Sequence, residues 1–201
     1  MVAFDLFGDF SARDTVTEIE QYGIVTIANF LHEDTRRTLL KQLCFLGWRD
    51  FTGSKGASGV EINVSACSRF PEGTLFPRLR TELQTLLNAK FARLSPSPLS
   101  EPLLFNYTTA LRYKPQELGM GTHRDGRYYI NLIAVVVLGG WARFSVFDDV
   151  GRPVEIRNWP GDLLLMRGPG FAGSNIEPLH RIDQVTTERF TLGFRHKKSR
   201  V

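Results

Sequence analysis

The chain has 201 residues, of which 42% are hydrophobic and 23% charged, the balance of an ordinary globular domain rather than of a disordered or fibrous chain. At that length one domain with a substantial core is expected, not two. The net charge is +4, and part of the excess lies in the run Arg195-His196-Lys197-Lys198-Ser199-Arg200, which reads as a solvated tail; this balance permits a nucleic-acid partner without requiring one.

Two cysteines, Cys44 and Cys67, lack CxxC spacing and are expected to be free core thiols in a reducing compartment. The first ten residues include Asp5 and Asp9 and no basic stretch leading into an apolar one, so no secretory signal is expected. The most apolar run, 128–141, is shorter than the roughly 20 residues of a spanning helix and is interrupted by Asn131. A cytoplasmic protein without a membrane partner is the expectation.

In chain order, the β-branched run 24–27 predicts a strand. Residues 29–46 predict a helix, with Leu31, Leu39, Leu40, Leu43 and Leu46 at largely helical spacing and Gly47 closing it. The glycine- and serine-rich stretch 53–59 reads as a flexible loop. A second helix is predicted over 74–91 from Leu75, Leu79, Leu83, Leu86 and Leu87, ending before Pro96-Ser97-Pro98. From 103 onward short β-rich segments alternate with turns, at 104–113, 129–138, 143–147, 154–158, 162–166, 179–183 and 189–195, the signature of a barrel or double sheet. A single domain spanning 1–201 follows, with 1–102 as helical support and lid and 103–197 as the β core.

His123-Arg124-Asp125 places an imidazole and a carboxylate two residues apart, and on an extended backbone such residues point the same way. Such triplets are common at surfaces and caps, so a third ligand is needed; His180 lies in a later β-type segment. Two histidines and one carboxylate on one face of an octahedral ion leave three positions open, as Fe(II) oxygenases require. A structural zinc site would prefer four ligands rich in thiolate, and neither cysteine has suitable spacing.

The segment Arg189-Phe190-Thr191-Leu192-Gly193-Phe194-Arg195 alternates without a break, with Phe190, Leu192 and Phe194 on one face. The other face offers a fork-shaped cation, Arg189, and a hydroxyl, Thr191, suited to a dicarboxylate. The glycines of 168–173 match a dinucleotide fingerprint, but Pro178 interrupts the segment where a Rossmann helix would follow, and the stretch reads instead as a loop near the metal.

Taken in order, His123-x-Asp125, Gly161-Asp162-Leu163-Leu164-Leu165, His180 and Arg189-x-Thr191-x-x-x-Arg195 resemble the double-stranded β-helix dioxygenases dependent on Fe(II) and 2-oxoglutarate. The chain looks most like the AlkB-like branch, which carries an Arg-Tyr pair ahead of its first iron histidine, as Arg112-Tyr113 stands here. The resemblance covers 104–196, with weaker similarity at 22–46. It implies an α+β, mainly β fold, a jelly-roll core with N-terminal supporting helices. It further implies Fe(II) on His123, Asp125 and His180, with 2-oxoglutarate held at its two ends by Arg189 and Arg195, beside Thr191 and hydrogen-bonded by Tyr113. Dioxygen would be the other co-substrate, and hydroxylation or oxidative demethylation the outcome, with release of succinate and CO2.

Thr191, Gly193 and Leu111 depart from the branch, which has Asn, Thr and Asn there. Gly126-Arg127 replaces the acidic residues that follow the His-x-Asp of base-repair members and would suit an anionic group. A small-molecule substrate is therefore expected first, with Arg124, Arg127, Tyr128 and Trp48 as candidate contacts. A nucleic-acid base, stacked under a lid of Trp48, Arg49, Phe51 and Lys55, is the alternative, and a non-catalytic binding protein the third reading.

Overall fold

A computed structural model describes residues 6–55 and 59–198. Asp5 of the leading segment, the middle of the glycine-rich stretch at 56–58 and the last two residues of the basic run, Ser199 and Arg200, lie outside the described residues.

Helix α1, Ala12–Tyr22, opens on Ser11, whose hydroxyl accepts from the Asp14 N–H, and closes on Gly23 in the left-handed region. No helical period marks it in the sequence, because Val16 and Ile19 are its only large aliphatic residues. Strand β1 follows at Ile24–Ile27, then α2 at Glu33–Gln42 and a 3-10 turn at Leu43–Phe45, so the helix predicted over 29–46 begins one turn late. Strands β2, Arg49–Lys55, and β3, Val60–Cys67, form a hairpin whose ladder runs to Lys55 and Val60, so residues 53–55 of the predicted flexible loop are strand instead, held by cross-strand pairing. Helix α3 spans Leu75–Phe91. Eight further strands complete the described chain: β4 Tyr107–Tyr113, β5 Gln116–His123, β6 Tyr129–Gly139, β7 Arg143–Phe147, β8 Pro153–Ile156, β9 Leu163–Arg167, β10 His180–Val185 and β11 Arg189–Lys197. Of these, only β5 has no counterpart among the predicted segments.

The strands pair in the order β1-β9-β6-β11-β4-β3-β5-β10-β7-β8, with β2 on β3. One sheet, β9-β6-β11-β4 with β1 at its outer edge, faces a second, β5-β10-β7-β8, and β3 joins the two along one side. All pairings are antiparallel. The result is the jelly-roll, double-stranded β-helix expected from the sequence, nearly closed and supported by helices.

Alternation sorts the residues of the first sheet into two cores. Leu132, Ala134, Val136, Leu163, Leu165, Leu192 and Phe194 meet Leu79, Leu83 and Leu87 of α3 on the outer face. Ile133, Val137, Leu164, Met166 and Tyr113 fill the barrel interior with Phe144 and Ile182 of the second sheet. Cys67 joins the helix-side core, as expected, whereas Cys44 is exposed beside the 3-10 turn.

Two buried polar side chains fasten the layers. Asp162, fully buried, accepts from the Asn29 N–H at 2.9 Å, the Trp159 N–H at 2.9 Å and Arg157 Nε at 3.0 Å, tying β1 and β9 together. Asn131, at φ +60° inside β6, accepts from the Ser100 N–H and hydroxyl at 3.0 and 2.8 Å and donates to the Glu101 carbonyl at 3.0 Å. Replacing it by Leu removes these bonds, strands the connector's donors and places a branched side chain at positive φ. Asn131→Leu is expected to lose about 2–4 kcal/mol of unfolding free energy, measured by urea denaturation.

Candidate metal and cofactor site

His123 closes β5 and His180 opens β10, and the two are direct partners in the antiparallel ladder. Partners across a ladder project to the same face, and the imidazole centres lie 4.2 Å apart. Phe144 stacks on His180 at 5.5 Å. Asp125, two residues beyond His123, returns to the same side: its Oδ2 lies 3.8 Å from His180 Nε2.

The ring nitrogens are assigned by their neighbours. His123 Nδ1 lies 2.7 Å from the Gly121 carbonyl and His180 Nδ1 lies 3.1 Å from the Pro178 carbonyl. A carbonyl only accepts, so each Nδ1 carries the proton and each Nε2 presents its lone pair. Burial pushes His180 down to about 4, against the opposing pull of Asp125, so this imidazole is neutral at physiological pH. Burial also opposes the charge of Asp125, but Arg195 and the two histidines outweigh it and hold the carboxyl below its ordinary value.

Two imidazoles that present Nε2 and one ionised carboxylate are the donor set of an open Fe(II) site. Among the described residues no three His, Cys, Asp or Glu side chains already stand around a single metal position. Asp125 is instead turned toward Arg195, with Oδ1 3.4 Å from Nε. His123, Asp125 and His180 are thus gathered on one face, with the Asp125 carboxyl engaged by Arg195.

Farther along the same face of β11, Arg189 is 1% exposed and Thr191 2%. Arg189 Nη2 donates to Asn158 Oδ1 at 3.0 Å, while its Nε and Nη1 are buried without a hydrogen-bond partner among the described residues. The guanidinium carbon stands 5.3 Å from the centre of the Tyr113 ring. Burial lowers the affinity of Arg189 for its own proton, with the Tyr113 hydroxyl opposing. The same phenol is pushed up by its own burial, feels both Arg189 and Arg195, and bonds to Thr191. Tyr113 thus connects the buried fork at one end with the Asp125–Arg195 contact at the other. A buried cation with two unused donors fits a carboxylate, as one end of 2-oxoglutarate would supply.

Glycines make room for this arrangement. A Cβ on Gly119 would stand 2.8 Å from the Tyr113 ring, and one on Gly193 would stand 2.8 Å from Arg195 Nη1. Gly193, a departure from the AlkB-like pattern, is thus the space into which Arg195 folds. Gly119 and Asn158 are not among the residues singled out from the sequence; the first is half of a Gly-x-Gly two residues before His123, and the second sits in an ordinary turn after β8.

The candidate substrate contacts divide. Arg124, between His123 and Asp125, donates through Nη1 to the Glu177 carbonyl. Arg127 is exposed in the turn after Asp125. Tyr128 is half-exposed, edge-on to Tyr129 at 4.4 Å with Lys197 over its ring at 5.6 Å. Trp48 lies elsewhere: it packs on Phe190 at 6.1 Å in the helix-side core, on the face of β11 opposite Arg189. The stretch 168–173 is likewise not beside the metal ligands, because Phe171 is buried against Phe91 of α3 at 6.2 Å.

A cleft of about 1010 Å³ opens where β1 and β8 fail to pair, and its lining includes Arg124, Val146, Glu177 and Leu179. No helix of the described chain is long and apolar enough to cross a membrane.

No protein-family model matches the sequence, and no curated protein does. Solved structures match in fold. A Trichoplax adhaerens prolyl hydroxylase, in complex with a peptide of the hypoxia-inducible factor oxygen degradation domain, superposes with a TM-score of 0.70 at 16% identity, over 92% of this chain and 87% of that one. A Burkholderia pseudomallei oxidoreductase of the 2OG-Fe(II) oxygenase family gives 0.66 at 14% identity over 97% of both chains. A carbocyclase of nogalamycin biosynthesis, non-haem and α-ketoglutarate-dependent, gives 0.65 at 15% identity over 95% of this chain and 87% of that one. This chain has the fold of these oxygenases.

His180 sets an acid limit on the metal-free protein. The unfolded chain takes up a proton at the ordinary 6.5 and the folded chain at about 4, so stability falls as pH drops between those values. Asp125, held below its ordinary 3.8, adds a further loss at lower pH. The thermal midpoint is expected to decline from pH 6.5 to 4, and the decline to shrink in His180→Gln, as followed by circular dichroism.

Proposed function

We propose that the protein is an Fe(II)- and 2-oxoglutarate-dependent dioxygenase that hydroxylates, or oxidatively demethylates, a small molecule. The observation that carries this reading is the buried Arg189 fork, two of its nitrogens unpartnered among the described residues, on the same strand face as the contact between Arg195 and Asp125. An ordinary structural arginine would satisfy its donors.

In this reading His123, Asp125 and His180 would hold the iron and leave the rest of its coordination to a 2-oxo acid and dioxygen. Arg189 receives the far carboxylate of 2-oxoglutarate in bidentate fashion, and the Thr191 and Tyr113 hydroxyls donate to it. Bound together, iron and 2-oxoglutarate supply the oxidising chemistry, with dioxygen consumed and succinate and CO2 released. Arg195 keeps the Asp125 carboxyl ionised, in addition to any contact with the near end of the 2-oxo acid. Ile133, Val137, Leu164 and Met166 line the interior with hydrocarbon and exclude water from the reacting centre.

Placement in the AlkB-like branch rests on Arg112-Tyr113 and on the spacing of Arg189 and Arg195. A nucleic-acid base is the second reading, and it loses one of its expected stacking residues, since Trp48 packs against the helix-side core.

Purified protein is expected to bind Fe(II) in equilibrium dialysis and to release succinate from 2-oxoglutarate. Binding of neither would sink the reading, and binding of both without turnover on any substrate would leave a sensor on the same fold. His123→Ala and Asp125→Ala are expected to abolish succinate release. Arg189→Ala should raise the 2-oxoglutarate requirement about 10- to 100-fold, the worth of charge-assisted bonds of roughly 1.5–3 kcal/mol. Arg195→Ala should chiefly weaken Fe(II) retention; a larger effect on the 2-oxoglutarate requirement would restore it as a main cofactor clamp.

A further inference from the structure

The jelly-roll is joined by β3 on one side only. On the other, β1 and β8 present unpaired edges, and the cleft between them narrows where the Thr26 hydroxyl donates to the Arg157 carbonyl at 2.7 Å. The floor of this seam belongs to the barrel interior: Ile24, Val146 and Ile156 line it and also pack in the interior core. Val146 is the ladder partner of His180 on β7. The seam therefore runs from solvent to the flank of the candidate metal ligands.

Its charge is opposite to that of the chain. Five carboxylates, Glu18, Asp148, Asp149, Glu155 and Glu177, line it against three guanidiniums; Asp148 is taken by Arg152 at 2.9 Å, and the remaining four still outnumber the lining cations in a protein that carries +4 as a whole. Each guanidinium is occupied. Arg124 donates to the Glu177 carbonyl, Arg157 to Asp162, and Arg167 to the Ile176 and Glu20 carbonyls at 2.9 and 3.0 Å. Glu177 is 3% exposed, and its Oε1 is buried without a hydrogen-bond partner among the described residues. It stands three residues before His180, and its own backbone carbonyl fixes Arg124, the residue between His123 and Asp125. A buried carboxylate oxygen without a donor costs on the order of 1–3 kcal/mol or more unless a ligand satisfies it. Outside it, Tyr22, Val154 and Ile176, all exposed large apolar residues, line the same cleft and offer cover for a hydrocarbon skeleton.

We propose that the seam between β1 and β8 is the substrate entrance, and that it admits a small organic cation whose ammonium or guanidinium group is received by Glu177. This rests on the oxygenase reading for the word substrate, but the binding site itself does not. The volume is that of a metabolite pocket, about 300–1,000 Å³ being usual. The excess of carboxylates disfavours the phosphates of a nucleic acid, and equally the anionic group that Gly126-Arg127 alone would suggest.

The test is calorimetric titration of the full chain, with and without Fe(II) and 2-oxoglutarate under anaerobic conditions. Agmatine, L-arginine methyl ester and spermidine serve as cationic probes, and glutarate and AMP as anionic ones. At least one cation is expected to bind more tightly than either anion in the absence of 2-oxoglutarate. Glu177→Gln should weaken that binding about tenfold or more, in the range for loss of one partner from a buried charge pair. Asp149→Lys, on the exposed rim, should weaken it in a salt-dependent way and reports on the seam even if the buried variant unfolds. The proposal is overturned if no cation binds, or if neither variant changes binding. Cation binding without Fe(II) or 2-oxoglutarate binding would sink the oxygenase reading and keep the seam; succinate release indifferent to every cation and to Glu177→Gln would do the reverse.

Discussion

A guanidinium buried with two unused donors is the constraint around which the barrel is organised. Arg189 is the largest of the fully buried side chains; Asn158 accepts from its Nη2, and its Nε and Nη1 have no hydrogen-bond partner among the described residues. Desolvating such a charge is expensive, so the interior must provide partial compensation, and the Tyr113 ring and hydroxyl do so without neutralising it. The remainder is what the proposed 2-oxo acid would satisfy. Gly119, which lets Tyr113 approach, and the β4–β11 ladder, which sets Tyr113 directly opposite Arg189, exist in service of that one uncompensated charge.

The rest follows from the period of two along each strand. In β11 the even positions, Phe190, Leu192 and Phe194, join the helix-side core, and the odd positions carry Arg189, Thr191 and Arg195 into the barrel. A shift of one residue would exchange the cores and drive both arginines under α3. Stability on one face and chemistry on the other are thus enforced by the same register. Fully buried Leu79, Leu83 and Leu87 of α3 lock the helix side of this sheet.

This division also explains what can be read from the sequence. Where strands carry continuous or alternating apolar residues, as in β6, β7 and β11, they are legible nearly to the residue. The gathering of His123, Asp125 and His180 is legible because extended backbone repeats every two residues. β5 escapes because Gly119 and Gly121 give it little strand propensity; its pairing with β3 and β10 makes it a strand. β2 escapes for a related reason, with one large apolar residue, Phe51, in seven. Trp48 misleads because an aromatic residue beside a glycine-rich stretch looks alike whether it covers a ligand or a core. Asn158 and Glu177 have no local signal at all: each matters only because a distant strand brings a charge or a cleft to it.

The tethers on the two imidazoles have a further consequence. Each Nδ1–H is held by a carbonyl two residues earlier in its own chain, Gly121 for His123 and Pro178 for His180. Many histidine sites delegate this job to a carboxylate or amide side chain, which a point mutation can remove. Here no side chain can be deleted to release either ring. The orientation of the donors is inherited from backbone conformation, so the barrel's neighbouring walls are free to change their residues, and hence what they admit, while the chemistry at the centre stays in place.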